Sequence, residues 1–338
     1  MAEGGGALGF SASADVEETA QASQRRFVAG FLGSFFALLA IILAFNIVVD
    51  PLALAGTGLV PTAVEPDRSV KLDLLQNLTR GPQILILGDS RGRQAQPSQL
   101  QRLTGHTAFN AAVTGGSAPE AYVFVRFTAD RFPHQKRRYI WFTDEGLASG
   151  IVQPQLAQEP RARRYLPDAP RFALGDVKTY LSTEATKDSW RVFEKCVLAT
   201  CRTKINYNPD GSLTSRSLRY LPEHAKSLRR SVATRLAGVR ANRETLRQAR
   251  QDLAIPGRFA YLDRMLAFMN NRGEVPVIVL NPLYPSVLAA EEKNGFPAHG
   301  ATMEKLAQLH RRFRFVLVNC EDIRKWHGTK SDCRTRRT

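Results

Sequence analysis

Gln83-Ile84-Leu85-Ile86-Leu87-Gly88-Asp89-Ser90-Arg91-Gly92 opens as an apolar run rich in branched residues and closes on a glycine, a carboxylate and a serine. A short apolar run ended by a turn signal reads as a buried strand. The polar helical spacing that continues to about Leu103 completes a strand, turn, helix order. The same order recurs along the chain. Thr107–Asn110 is a second strand candidate, Ala118–Phe132 has helical spacing of apolar residues, and Arg138–Phe142 (RYIWF) is a third strand. Much later, Phe259–Asn271 is amphipathic and leads into the strand Val275–Leu280, and Met303–Phe313 leads into Phe315–Asn319. Strands that are continuous apolar runs and alternate with helices predict an α/β fold with a mainly parallel sheet covered on both faces.

The alternation stops between Glu145 and about Pro256. That stretch is polar, carries a turn at Asn208-Pro209-Asp210-Gly211 and a basic helical run from Ser217 to Leu253, and reads as a mostly helical insertion (about 145–256) on the sheet's edge. Residues 50–80 are rich in Pro, Ala and Gly and then mixed polar, a linker ending in a short helix near Leu72–Leu78, so the folded domain is expected over 81–338.

Upstream, Phe27–Val49 is a run of 23 residues with no charge, longer than the ~20 that a helix needs to cross a hydrocarbon core. Arg25 and Arg26 precede it and no Lys or Arg follows until Arg68, so the positive-inside rule puts residues 1–26 in the cytoplasm as a short disordered tail and the rest outside. A cleaved signal peptide is the competing reading, with small residues at Ala53-Leu54-Ala55. The apolar run exceeds the ~7–15 residues of a signal core, which favours an uncleaved single-pass anchor.

The 338 residues hold 47 Lys plus Arg against 31 Asp plus Glu, a net charge of +16, with 43% hydrophobic residues. That excludes an acidic disordered chain and a polytopic membrane protein. Half of the surplus lies in 216–258, with eleven basic and three acidic residues. Nucleic acid is not the expected partner, because the charge lies outside the cytoplasm and no aromatic residue follows Tyr220 in that run. A solvated helix face and a platform for lipid headgroups or an anionic envelope polymer both account for it. No cofactor motif and no metal-ligand cluster is read. Cys196 and Cys201 either staple the insertion or stay free, since an i, i+5 pair on a regular helix points in different directions.

A serine directly after a parallel strand, with glycine before it and a helix after it, stands at the sheet's carboxyl edge, where α/β folds gather ligands. Ser90 meets that description and is the candidate acyl-transfer nucleophile. Asp89 or Ser90 as a plain helix N-cap is the alternative.

GDS after the first strand, FNAAVTGGSAPEAY after the second and RYIWF as the third together resemble the SGNH (GDSL-like) hydrolases, more narrowly their membrane-anchored bacterial members of the DltD-like and alginate-acetylation type. The likeness covers about 83–147 well and 258–325 loosely. It implies a flavodoxin-like three-layer α/β/α domain, a serine esterase or acyltransferase acting on acylated cell-envelope glycan, and residence in the bacterial inner membrane. It also implies Ser90 as nucleophile and Gly115 or Gly116 as an oxyanion-hole donor. The family's third block supplies an Asn where this chain has Phe142-Thr143-Asp144-Glu145-Gly146; Asn110 is either a substitute amide donor or a satisfied turn residue. The family's closing Asp-x-x-His is also missing. Asp322 and His327, five apart, are the nearest pair, and His106, His134, His224, His299 and His310 read as surface residues. The basic ending Asp332–Thr338 is compatible with a shifted reading frame that restores Asp-x-x-His. Without that motif, a catalytically inactive member that binds a polysaccharide or an assembly partner is the second expectation.

Overall fold

The computed structural model describes residues 11–51, 67–144, 150, 152–167, 174–194, 206–215, 232–233, 236–237, 257–283, 285–293 and 297–322. In chain order the elements are α1 (Ser11–Val49), α2 (Asp67–Asn77), β1 (Ile84–Gly88), a 3-10 turn (Gly92–Gln94), α3 (Pro97–Thr104), β2 (Ala108–Asn110), α4 (Ala118–Arg131), β3 (Arg138–Thr143), α5 (Pro154–Gln158), α6 (Pro160–Arg163), α7 (Leu174–Tyr180), α8 (Thr183–Phe193), α9 (Ala260–Asn271), β4 (Val277–Leu280), α10 (Pro285–Lys293), α11 (Pro297–His310) and β5 (Val316–Asn319). They fall into two compact units, residues 1–62 with 172–201 and residues 63–171 with 202–338.

In the first unit, Ser23–Val49 of α1 is long and apolar enough to cross a membrane, with a mean hydropathy of 2.6 over its most apolar window. Its flanks Phe27, Phe31, Phe36 and Ile41 are exposed, as lipid-facing residues are. The expected disordered tail is instead helical from Ser11. Ala, Glu, Gln and Arg in that stretch are good helix formers, and the apolar span supplies the nucleus that an isolated segment lacks.

The second unit is built on a five-stranded parallel sheet of order β2-β1-β3-β4-β5. Gly88 at the end of β1 lies level with Phe142, and Leu280 at the end of β4 lies level with Thr143 and Asn319. All five expected strands are present. The helix expected from Met303 begins earlier, at Pro297, which fits the preference for proline in the first turn. β1 is buried at every position, as a strand covered on both faces must be. Leu85, Leu87, Tyr139, Trp141 and Ile278 of the sheet share one core with Val123, Phe124 and Phe127 of α4 and Leu262, Met265 and Met269 of α9. α4 is started by Ser117, whose N–H and Oγ both donate to Glu120 Oε2, at 3.0 and 2.7 Å.

Two expectations change. The segment taken as a spacer ends in α2, whose Leu72 and Leu75 are fully buried in this core, so α2 belongs to the α/β unit. The insertion leaves from the carboxyl end of β3, the middle strand, and not from a sheet edge. Its described parts are helical, apart from an antiparallel bridge between Tyr207 and Leu213 around the expected turn, where Gly211 N–H donates to Asn208 O. Cys196, Cys201, Cys333, His224, His327 and nearly all of 216–258 lie outside the described residues.

Gly88 has φ +145°, and a Cβ there would stand 2.4 Å from the Phe142 carbonyl oxygen. Main chain in the middle of a sheet cannot yield. Gly88→Ala in the full-length protein is therefore expected to lose about 3 kcal/mol or more in urea unfolding, from strain and overpacking together. A loss under 1 kcal/mol on the same scale would show that β1 and β3 are not so closely apposed.

Candidate active site at the carboxyl edge

Chain order and strand order disagree at β1: the chain leaves β1 for β2 on one side and then returns for β3 on the other. In an open parallel sheet such a reversal opens a crevice outside the carboxyl ends of the two central strands. Asp89 and Ser90 directly follow β1 at that carboxyl edge, and Asp144 follows β3.

Asp89 does the local capping. Its Oδ1 accepts from Arg91 N–H at 2.9 Å and lies 3.4 Å from Gly92 N, while Oδ2 takes Arg91 Nε and Nη2 at 3.0 and 2.6 Å. Arg91 also pairs with Asp144, tying the turn to the end of β3. Burial works against the Arg91 charge, yet Asp144 and Asp89 outweigh it and hold its pKa above the ordinary guanidinium value. With the cap supplied by Asp89, Ser90 is exposed and its hydroxyl has no hydrogen-bond partner among the described residues.

The β2–α4 loop crosses the same turn. Val113 N–H donates to Gly88 O at 3.0 Å, and a Cβ on Gly116 would sit 2.3 Å from that oxygen, so Gly116 is required for the close approach. The Gly116 N–H is already spent on Val113 O at 3.0 Å. Gly115, at φ +63°, is exposed, and its N–H is unpaired among the described residues. Of the two glycines, Gly115 has the free donor. Asn110 is fully buried, and its amide is spent on the carbonyls of Gly92, Arg93 and Ala95, at 3.0, 3.2 and 2.7 Å. It holds the segment after Ser90 in place, as a satisfied turn residue, and is not free to serve an oxyanion.

The loop rests on a buried charged network that sequence reasoning missed. Asp67 Oδ2 accepts from Thr114 N and Oγ1 at 2.9 and 2.8 Å and lies 3.2 Å from Arg93 Nη1. Tyr207 Oη donates to Asp67 Oδ1 at 2.6 Å. Lys71 is fully buried, donates to the carbonyls of Asn110 and Ala112, and lies 4.8 Å from the Tyr207 ring centre. Burial pushes its amine down from 10.5 to about 7, with Asp67 opposing and Arg93 adding to the effect. Arg68 forks onto Glu120 Oε1 at 3.2 and 2.8 Å and reaches Thr114 O at 3.1 Å. The charged positions of α2 were visible in the sequence as a polar segment; their partners, 26 to 140 residues away, were not.

Asn281, directly after β4, is a second residue overlooked. It is buried, and its Nδ2 has no partner among the described residues. An Asn closing the apolar run VIVL was the available signal. Asp322 follows β5 on the same carboxyl edge, whereas His106, His134 and His310 lie just ahead of β2, β3 and β5, at the opposite, amino edge. His310 packs on Phe315 with ring centres 4.8 Å apart. His299 stands in the first turn of α11. Among the described residues no group of three or more His, Cys, Asp or Glu is arranged to hold a metal.

Searches against protein-family models, curated proteins and solved structures return no match to this chain.

Proposed function

We propose that the chain is a membrane-anchored, extracytoplasmic serine esterase or acyltransferase of SGNH type, acting on an acylated cell-envelope glycan or a related ester. The observation that carries this reading is Ser90: exposed, relieved of capping duty by Asp89, and standing where the strand order reverses. In the first step Ser90 Oγ attacks the acyl carbonyl carbon and gives its proton to a base. The oxyanion is held by the N–H groups of Ser90 and Gly115, each such donor worth about 10²–10³ in rate. Collapse expels the alcohol, which takes the proton back, and leaves an acyl-serine; water or an acceptor hydroxyl then repeats the attack and frees Ser90. The base in this reading comes from the segment after β5, with Asp322 orienting His327. In that family the segment after the last strand supplies an Asp-x-x-His, and Asp322 and His327, five apart, stand in for it in this reading. The anchor orientation, N-terminus in the cytoplasm and α/β unit outside the inner membrane, follows from Arg25 and Arg26 before the span. An anionic envelope polymer or lipid headgroups suit the basic surplus of 216–258.

A catalytically inactive protein that binds a polysaccharide or an assembly partner is the second reading. It is favoured by the placement of His106, His134 and His310 at the edge away from Ser90. A fluorophosphonate probe separates the two. Full-length protein in detergent is expected to label once, on the tryptic peptide Gly81–Arg91 that contains Ser90. Absence of label on that peptide overturns the catalytic reading and leaves the binding protein.

A further inference from the structure

The first unit carries its own surface. Asn46 lies inside the apolar run of α1, three residues before its end, and is completely buried. An amide left unpaired in hydrocarbon costs several kcal/mol, so a polar residue at that depth needs a partner brought to it. It has two: Asn46 Nδ2 donates to Tyr180 O at 2.6 Å and to Thr186 Oγ1 at 2.9 Å. Tyr180 Oη in turn donates to Asp50, which ends α1 at φ +47°. α7 and α8 are thereby fastened to the last turns of α1, about 5 Å inside the end of the span at 1.5 Å per residue.

The aromatic residues follow the same level. Phe45 of α1 meets Phe193 of α8, ring centres 5.8 Å apart, and Phe193 meets Trp190 at 5.9 Å. The inner side of α8, through Ala185, Ser189 and Val192, is buried, yet Trp190 is 57% exposed. An indole left open beside the end of an apolar span suits the boundary between chains and headgroups, where Trp is enriched because its body is apolar and its N–H is not. α8 itself is charge-balanced, with Glu184 and Asp188 against Lys187 and Arg191, so its attachment comes from the aromatic residues and not from phosphate electrostatics.

We infer that α7 and α8 form an interfacial collar around the outer end of α1, with Trp190 seated in the headgroup boundary of the same phospholipid bilayer. The collar does not depend on any chemistry at Ser90. It fixes the membrane depth of the point where the insertion meets the anchor.

The test uses full-length protein in phosphatidylcholine vesicles, with lipids brominated either close to the headgroup or near the chain terminus. Trp190→Phe leaves Trp141 and Trp326 in place, so the difference between the two proteins isolates Trp190. Shallow bromines are expected to quench a component present in the wild type and lost in Trp190→Phe, deep bromines to quench it less, and added anionic lipid to change neither. Equal quenching of both proteins overturns the collar. So does a chain that fails to float with vesicles after an alkaline wash, because the span beneath the collar is then absent.

Discussion

Ser90→Ala is expected to abolish fluorophosphonate labelling and to cut any esterase turnover by about 10³-fold or more, while leaving urea unfolding within about 0.5 kcal/mol of wild type. The two halves of this result test different things. If Ser90 were the cap of the segment that follows, its hydroxyl would hold a backbone N–H and the substitution would cost about 1 kcal/mol. Asp89 holds those N–H groups instead, so the Ser90 hydroxyl contributes nothing to the turn. The complementary variant reverses the pattern. Asp89→Ala removes the cap and one of the two carboxylates on Arg91, and its expected cost is about 1 kcal/mol or more. Measurable destabilisation by Ser90→Ala, with labelling unchanged, would return Ser90 to a structural role.

The strand β1 and the Gly88-Asp89-Ser90 turn after it were legible because each of these parts is local. A buried parallel strand writes itself as an uninterrupted apolar run, and Ile84–Leu87, Tyr139–Phe142 and Val277–Leu280 all carry that mark. The helices α4 and α9 show 3.6-residue spacing for the same reason. The place of α2 was not legible. Asp67, Arg68 and Lys71 give it the look of a solvated linker helix, and only contacts with Thr114, Glu120, Asn110 and Tyr207 make those charges tolerable inside. Long-range pairing of that kind leaves no periodic trace. Asn110 shows the same limit: the sequence left its amide open to two uses, and the carbonyls of Gly92, Arg93 and Ala95 take it for the structural one. Gly115 and Gly116 were an undivided pair in the sequence, and they part only because Gly116 bonds to Val113 and packs on Gly88.

Stability is expected to rise with pH between about 7 and about 10 by on the order of 1 kcal/mol per unit, through Lys71 alone. Lys71 is a base whose pKa falls on folding, from 10.5 to about 7. Below 7 it is protonated in both states and contributes no slope. Between the two values the unfolded chain holds a proton that the folded chain has released, so raising the pH favours the fold. The neutral amine keeps its role, because two N–H groups suffice for the carbonyls of Asn110 and Ala112. Urea unfolding of the full-length protein at stepped pH, wild type against Lys71→Met, reads the effect as a difference of slopes: steeper in the wild type above pH 7, parallel below it. Curves that stay parallel up to pH 10 would mean that the amine remains charged inside the network, where Asp67 and the Tyr207 ring would have to compensate it. The carbonyls that Lys71 grips lie at and just beyond the end of β2, five and three residues before Gly115. In the proposed reading Lys71→Met is also expected to slow probe labelling at Ser90 with no change in the labelled peptide, since the Gly115 N–H proposed as oxyanion donor sits on the main chain that the network holds.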